Sequence, residues 1–139
     1  MSGDVVSSST QVQHGPVGQV GSGDGAFTTR QLSRLDEALT LSSKESGLEF
    51  SVYVGELAAP TRAHAEALFE QLNPISVLLA VSPGQRCLHI VTGDESAKRL
   101  PNRACALAAL AMRAAFANGD LTGGITIGLR MLADSAGHA

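Results

Sequence analysis

The sequence predicts an α/β fold of three layers, a small mixed β-sheet with helices on both faces. Three observations carry that expectation. Val77-Leu78-Leu79-Ala80-Val81 is an unbroken apolar run of strand length, the pattern of an inner strand covered above and below. Ser82-Pro83-Gly84-Gln85 then turns the chain back onto a partner strand, Arg86 to Thr92, which makes an antiparallel hairpin. Before the inner strand come a strand pattern at Glu49 to Gly55 and a helical pattern, and a strand–helix–strand unit of about 35 residues closes as a parallel crossover. Parallel and antiparallel pairing in one sheet make it mixed.

The totals set the bounds. A chain of 139 residues, 44% hydrophobic, has material for one domain with an aliphatic, alanine-rich core. Four Phe, one Tyr and no Trp provide no stacked platform for single-stranded nucleic acid. The formal charge is −3, to which Asp4 and Asp24 contribute two units, so residues 26–139 are near neutral and do not form a phosphate-backbone binder. The first residues lack the basic start and apolar centre of a signal peptide, and no apolar run approaches the roughly 20 residues of a membrane span, so the expected location is cytoplasmic. Cys87 and Cys105 sit in apolar contexts and are expected as free thiols; with no C-x-x-C pair, zinc-ribbon and thioredoxin readings fall away.

Along the chain, residues 1–25 are Ser-, Gly- and Gln-rich without periodicity and read as a disordered leader, with His14 a solvated bystander. The domain is expected over 26–139. Leu32, Leu35, Leu39 and Leu41 recur at helical spacing; Thr28 or Thr29 suits the cap and Gly47 the end of this first helix. In Glu49 to Gly55, Phe50, Val52 and Val54 alternate with Ser51 and Tyr53, a strand with one packed face. Pro60-Thr61 opens a second helix to Leu72 whose stripe is Ala65, Leu68, Phe69 and Leu72.

Pro83 at the second turn position and Gly84 at the third predict a type II turn with positive φ at Gly84. In the partner strand Cys87, His89 and Val91 share one face and Leu88, Ile90 and Thr92 the other. A charged segment, Asp94 to Leu100, fits a helical turn. Pro101 starts a third helix to about Asn118. From Ala104 to Met112 that helix carries no charge, which predicts burial on several sides by its own chain and hence a monomer. Asp120 or Thr122 caps a last helix to about Ala136, whose Gly124-x-x-x-Gly128 face allows close packing on the third.

The runs VLLAVSPGQRCLHIVTG, LPN and AAFANGDLTGGITIGLRML together resemble the TPM domain family, in an actinobacterial branch of unassigned function. The resemblance covers roughly residues 30–136 and implies the same small sheet with helices on both faces. For function it implies several possibilities: some members are described as acid phosphatases, some bind calcium, and others are linked to membrane protein complexes or nucleotides. This chain departs from the pattern at two carboxylates. Asn73-Pro74-Ile75-Ser76 stands where the family commonly has Asp-Asn-Gly, and Asn102 stands where it has Asp. Asp94 and Glu95 partly match the family's acidic loop, and Asp120 matches its Gly-Asp motif.

Other motifs are excluded by what they lack. His64-Ala65-Glu66 with Pro101 and Cys105 falls short of a zinc deaminase because the second cysteine of the metal shell is missing. No Gly-x-Ser-x-Gly elbow and no Gly-Lys-Ser/Thr loop occur. His89 beside Cys87 reads as a hydrogen-bonded strand histidine rather than a catalytic one. The constellation that survives is the junction where antiparallel pairing brings Asn73 to Ser76 beside Thr92 to Glu95, with the third helix opening nearby at Pro101. Asp94 and Glu95 offer hard-cation oxygens, too few for more than weak calcium or magnesium binding, so no cofactor is expected. Arg99, Asn102 and Arg103, beside Lys98, flank a helix start suited to an anion. The expected function is therefore a non-catalytic binding module for a protein partner or a small anion, with Asp94, Glu95, Arg99, Asn102 and Arg103 as ligand-binding residues and no catalytic residue. The alternative is a divalent-metal-dependent acid phosphatase using Asp94, Glu95 and Asp120.

Overall fold

A computed structural model of the chain describes residues 3–7 and 27–137. In chain order the elements are β1 (Gly3–Ser7), α1 (Thr29–Ser46), β2 (Glu49–Gly55), α2 (Thr61–Phe69), β3 (Ser76–Ser82), β4 (Cys87–Thr92), α3 (Asn102–Ala117) and α4 (Leu121–Ala136), with 3-10 turns at Pro83–Gln85 and Ser96–Lys98. The sheet order is β1-β2-β3-β4. β2 and β3 run parallel, Val52 opposite Leu79, and β3 and β4 antiparallel, Leu79 opposite Ile90. The mixed sheet expected from the crossover and the hairpin is present.

The leader contributes a strand that its composition does not announce. Gly3–Ser7 pairs antiparallel with β2, Gly3 opposite Gly55 and Ser7 opposite Ser51. A five-residue strand made of Gly, Asp, Val and Ser has too little alternation to be read alone; its ladder comes from β2. Residues 8–26, including His14 and the rest of the expected leader, lie outside the described residues.

The alternation of side chains divides the core in two. Phe50, Val52 and Val54 of β2 and Val77, Leu79 and Val81 of β3 face α1, α3 and α4, where Leu35, Leu39, Met112, Ile125, Leu129 and Leu132 are buried. Tyr53, Leu78, Ala80 and Val91 face α2 through Ala65 and Leu68. β2 is thus packed on both faces, not one. Each fully buried Leu, Ile or Phe contributes about 1.5–3 kcal/mol.

Helix ends follow the sequence closely at α1. Thr28 Oγ1 accepts from the Gln31 amide at 3.1 Å while Gln31 Oε1 accepts from the Thr28 amide at 2.8 Å, a reciprocal cap worth about 1 kcal/mol. Gly47, at φ 81°, ends the helix by donating to Ser43 O. Leu41, however, is 53% exposed. Ser42 and Ser46 take the buried positions, Ser46 Oγ donating to Ser42 O and accepting from the Leu48 amide. α2 ends at Phe69, and Leu72 packs from the turn that follows.

Two further expectations are corrected. The hairpin turn is not type II: Pro83–Gln85 forms a 3-10 turn and the positive φ, 53°, falls on Arg86 rather than Gly84. The reason is Gln85, whose side-chain amide accepts from the Leu57 N–H at 2.7 Å and donates to the Leu57 C=O at 2.9 Å, drawing the turn toward the chain beyond β2. The second correction concerns α3, which is not covered on all sides. Ala108 and Met112 are buried, but Leu107 is 48% and Leu110 65% exposed. α4 packs against both α1 and α3, which leaves α3 at the flank of the layer beside β4. Gly124 and Gly128 of α4 allow this approach, since the space for a Cβ at either is filled by Phe116, Ala115 or Met112 of α3.

Candidate functional site

The two ends of the sheet carry different chemistry. At the amino end of β3, Asn73 Oδ1 accepts from the Ile75 amide and the Ser76 hydroxyl, and its Nδ2 donates to Glu49 Oε1 at 2.6 Å. Pro74 O receives the Glu95 and Ser96 amides, both at 3.0 Å. Ser96, fully buried, donates from Oγ to Ser76 O at 2.7 Å and accepts from the Gly93 amide at 2.8 Å. A Cβ at Gly93 would lie 2.5 Å from Pro74 O, so this close approach needs glycine. The start of β3 and the exit of β4 therefore meet, as expected, and are stitched together.

The predicted ligand-binding residues lie along this junction, several of them in structural roles. Glu95 pairs with Lys98 at 3.3 Å on an exposed surface. Arg99 donates from Nη2 to Ala136 O at 2.8 Å and to Gly137 O at 3.1 Å, capping the carboxyl end of α4. Asp94, Asn102 and Arg103 are exposed at the loop and the start of α3. Asp120 is elsewhere: it follows α3, and 16 residues of helix at 1.5 Å each put it about 24 Å away from Asn102. There its Oδ1 accepts from the Gly123 amide at 2.9 Å and caps α4. Asp94, Glu95 and Asp120 do not converge, and no group of three or more metal-ligating side chains occurs among the described residues.

At the carboxyl end of β3 a cavity of about 580 Å³ opens, the end of an α/β sheet where ligands bind and a size that suits small molecules. Val81 and Ser82 end β3 at its floor, and Leu88 continues the floor from β4. Phe116, Ala117 and Leu121 form an apolar wall from α3 and α4. Arg86 and Arg113 are the cationic groups of the lining. Among the described residues neither pairs with a carboxylate; Arg113 makes one long contact, Nη2 to Leu88 O at 3.5 Å. Most of its five donors stay available to a ligand.

Cys87 also lines this cavity. Its Sγ lies 3.4 Å from His89 Nε2, and Thr61 Oγ1 lies 2.9 Å from the same nitrogen. Burial, then the charges of Arg62 and Arg113, hold the His89 pKa below its ordinary value of 6.5, with Glu66 opposing. Burial raises the Cys105 thiol, against the effect of Arg62. Arg62 donates to Ile90 O at 3.2 Å, so Arg62 and Arg113 both reach carbonyls of edge strand β4 and shield it from pairing with another chain.

A family model described as "Domain of unknown function (DUF5130)" matches residues 2–133. The chain belongs to the DUF5130 family. "Uncharacterized protein MT2543" of Mycobacterium tuberculosis (strain CDC 1551 / Oshkosh) and "Uncharacterized protein Rv2468c" of strain ATCC 25618 / H37Rv are each 36% identical over 115 residues, spanning 81% of this chain and 68% of their own length. In fold, the DUF5130 chain is similar to the N-terminal domain of a protein from P. gingivalis, solved by solution NMR, at TM-score 0.70 and 19% identity over 80% of this chain and 76% of that one. That likeness shows the fold alone. No described helix of the DUF5130 chain is long and apolar enough to cross a membrane.

The cavity was missed in sequence because its walls come from residues 81–88 and 113–121, with no motif linking them. The signal available was positional: an inner strand's carboxyl end followed by Arg86, and Arg113 one helical turn before Phe116.

Proposed function

We propose that this DUF5130 chain is a TPM-like, non-catalytic binding module that holds a small anion with an apolar body at the carboxyl end of β3. The observation that carries the reading is the cavity itself, with Arg86 and Arg113 in an otherwise largely apolar lining. Guanidinium forks suit carboxylate or phosphate oxygens, and Leu88, Phe116 and Leu121 suit a hydrocarbon portion. The two cysteines are free, which fits a reducing, cytoplasmic setting. The TPM likeness rests on the sequence runs from Val77 to Gly93 and from Ala114 to Leu132, and brings no phosphatase set with it: Asp120 is committed to a cap far from Asp94 and Glu95.

Titration of octanoate, naphthyl phosphate and inorganic phosphate against backbone amide resonances tests this. Shifts are expected at Arg86–Leu88 and Arg113–Leu121, larger for the two amphiphiles than for phosphate. Arg86→Gln with Arg113→Gln should weaken binding about tenfold or more. Shifts confined to residues 94–103 would instead assign the anion to Arg99, Asn102 and Arg103 and reject the cavity. The same module is expected to show no phosphate-ester turnover; metal-dependent hydrolysis abolished by Asp94→Ala or Glu95→Ala would restore the enzyme reading.

A further inference from the structure

We infer that the outer edge of β4 and the cavity form one site for the carboxyl-terminal tail of a partner protein, taken up as an added strand. This rests on the anion reading above and names its ligand: the tail's α-carboxylate is the anion and an apolar last side chain is its body. β4 ends the sheet, so one row of its backbone groups has no strand beside it among the described residues. The guanidinium contacts identify the row. Arg113 Nη2 reaches Leu88 O at 3.5 Å and Arg62 Nη1 reaches Ile90 O at 3.2 Å. Leu88 and Ile90 therefore turn both N–H and C=O outward, while His89 between them pairs with Ala80 of β3. The guanidinium groups serve only the carbonyls, and the two amides point at the same open edge. A neutral strand would displace both cations without compensation. A tail ending in a carboxylate compensates Arg113, which has no carboxylate partner among the described residues, and Arg62 keeps Glu66 at 3.0 Å.

Chain direction joins the edge to the cavity. A strand laid antiparallel to β4 runs the same way as β3, so its carboxyl end arrives at the carboxyl end of β3, where the cavity opens. The register follows from the outward groups. With the last residue opposite Leu88, its N–H donates to Leu88 O and one carboxylate oxygen accepts from the Leu88 N–H. The other oxygen is left for Arg86 or Arg113. Directly paired residues place their side chains on one face, so the last side chain lies beside Leu88, on the side of Phe116 and Leu121. The residue two before it repeats the pairing at Ile90. The penultimate residue turns its N–H away from β4.

The probe is the peptide acetyl-GSVTSL with a free carboxyl end, tested on the wild-type protein beside the same peptide ended as an amide and beside octanoate. The free acid is expected to bind about tenfold or more tighter than the amide. Hydrogen exchange at the Leu88 and Ile90 amides should slow about tenfold or more at saturating peptide. Saturating octanoate, which has no backbone to pair, should leave the Ile90 exchange rate unchanged. Methylation of the last peptide nitrogen should abolish binding, and methylation of the penultimate nitrogen should preserve it. Octanoate shifts at the cavity amides, with no peptide protection of Leu88 and Ile90, overturn the tail proposal and leave the anion reading standing. Equal binding of acid and amide overturns it too, because the edge then takes a strand without regard to its end. If octanoate and the free-acid peptide both leave Arg86–Leu88 and Arg113–Leu121 unmoved, the anion site falls with it.

Discussion

The amino and carboxyl ends of β3 lie on one strand, yet one is closed and the other open. At the amino end, Asn73, Pro74 and Ser96 use their polar atoms on the backbone of neighbouring loops, and Arg99 spends its guanidinium on the end of α4. At the carboxyl end, Arg86 and Arg113 line a cavity without a carboxylate partner among the described residues. The first end is richer in charge by sequence and the second richer in available donors. Charge density in a loop measures potential contacts; what remains for a ligand is set by how many of them the fold has already used.

The largest effect that separates the two ends is expected from Gly93→Ala. The added Cβ meets Pro74 O, a backbone atom that cannot swing aside, and displaces the loop holding Ser96. A loss of about 2–3 kcal/mol in urea unfolding is expected, with octanoate binding by the folded protein unchanged. Binding lost in step with stability would show that the two ends are coupled and the contrast between them false.

Next is Gln85→Ala, at the rim of the open end. Leu57 is buried, and removal of the amide leaves its N–H and C=O without the partners they have at 2.7 and 2.9 Å. The expected cost is about 2 kcal/mol by urea unfolding. A change below the error of the measurement would mean that the turn adopts its 3-10 form for some other reason.

These two residues also show what was legible in the sequence. A cap at Thr28 or Thr29, the Gly47 stop, the crossover and the hairpin could be read because each depends on neighbours in sequence or on period alone. The turn type could not, because Pro83-Gly84 states a local preference that Gln85 overrides through Leu57, 28 residues away. β1 escaped notice since Gly3–Ser7 takes its order from β2. Of the candidate site, the meeting of Asn73–Ser76 with Thr92–Glu95 was legible from antiparallel pairing. That its polar groups are consumed was not, since this depends on buried Ser96 and on Arg99 reaching α4. The cavity depends on where α3 ends relative to β3, a tertiary relation without a periodic signal.

A smaller effect is expected from pH. His89 has a folded-state pKa below its unfolded value of 6.5, so the unfolded chain binds the proton more readily. Its stabilising contribution is present above the unfolded value and lost as pH falls through the depressed folded value. Burial lowers it most, followed by the charges of Arg62 of α2 and Arg113 of α3, with Glu66 of α2 opposing; Thr61 and Cys87 also face the ring. Urea midpoints of wild type and His89→Gln, taken between about pH 8 and about pH 5, should diverge at the upper end and converge toward the lower. Parallel curves would mean that the His89 pKa is the same in the folded and unfolded chains.

The smallest expected effect tests the exposed face of α3, which lies alongside the open end. Leu110 is 65% exposed, so in an isolated chain it has little apolar area to lose, and Leu110→Ser should change stability by no more than about 0.5 kcal/mol. Leu107, 48% exposed, should behave in the same way. A helix apolar in sequence but bare on one side has a simple account here: alanine and glycine let α3 and α4 approach closely through Met112, Phe116, Gly124 and Gly128, and that approach does not require cover on the far side. Unfolding of Leu110→Ser, measured beside the molar mass from light scattering, decides it. A loss of 2 kcal/mol or more, accompanied by a fall in mass from dimer to monomer, would mean that a second chain buries the face and that the monomer is incomplete.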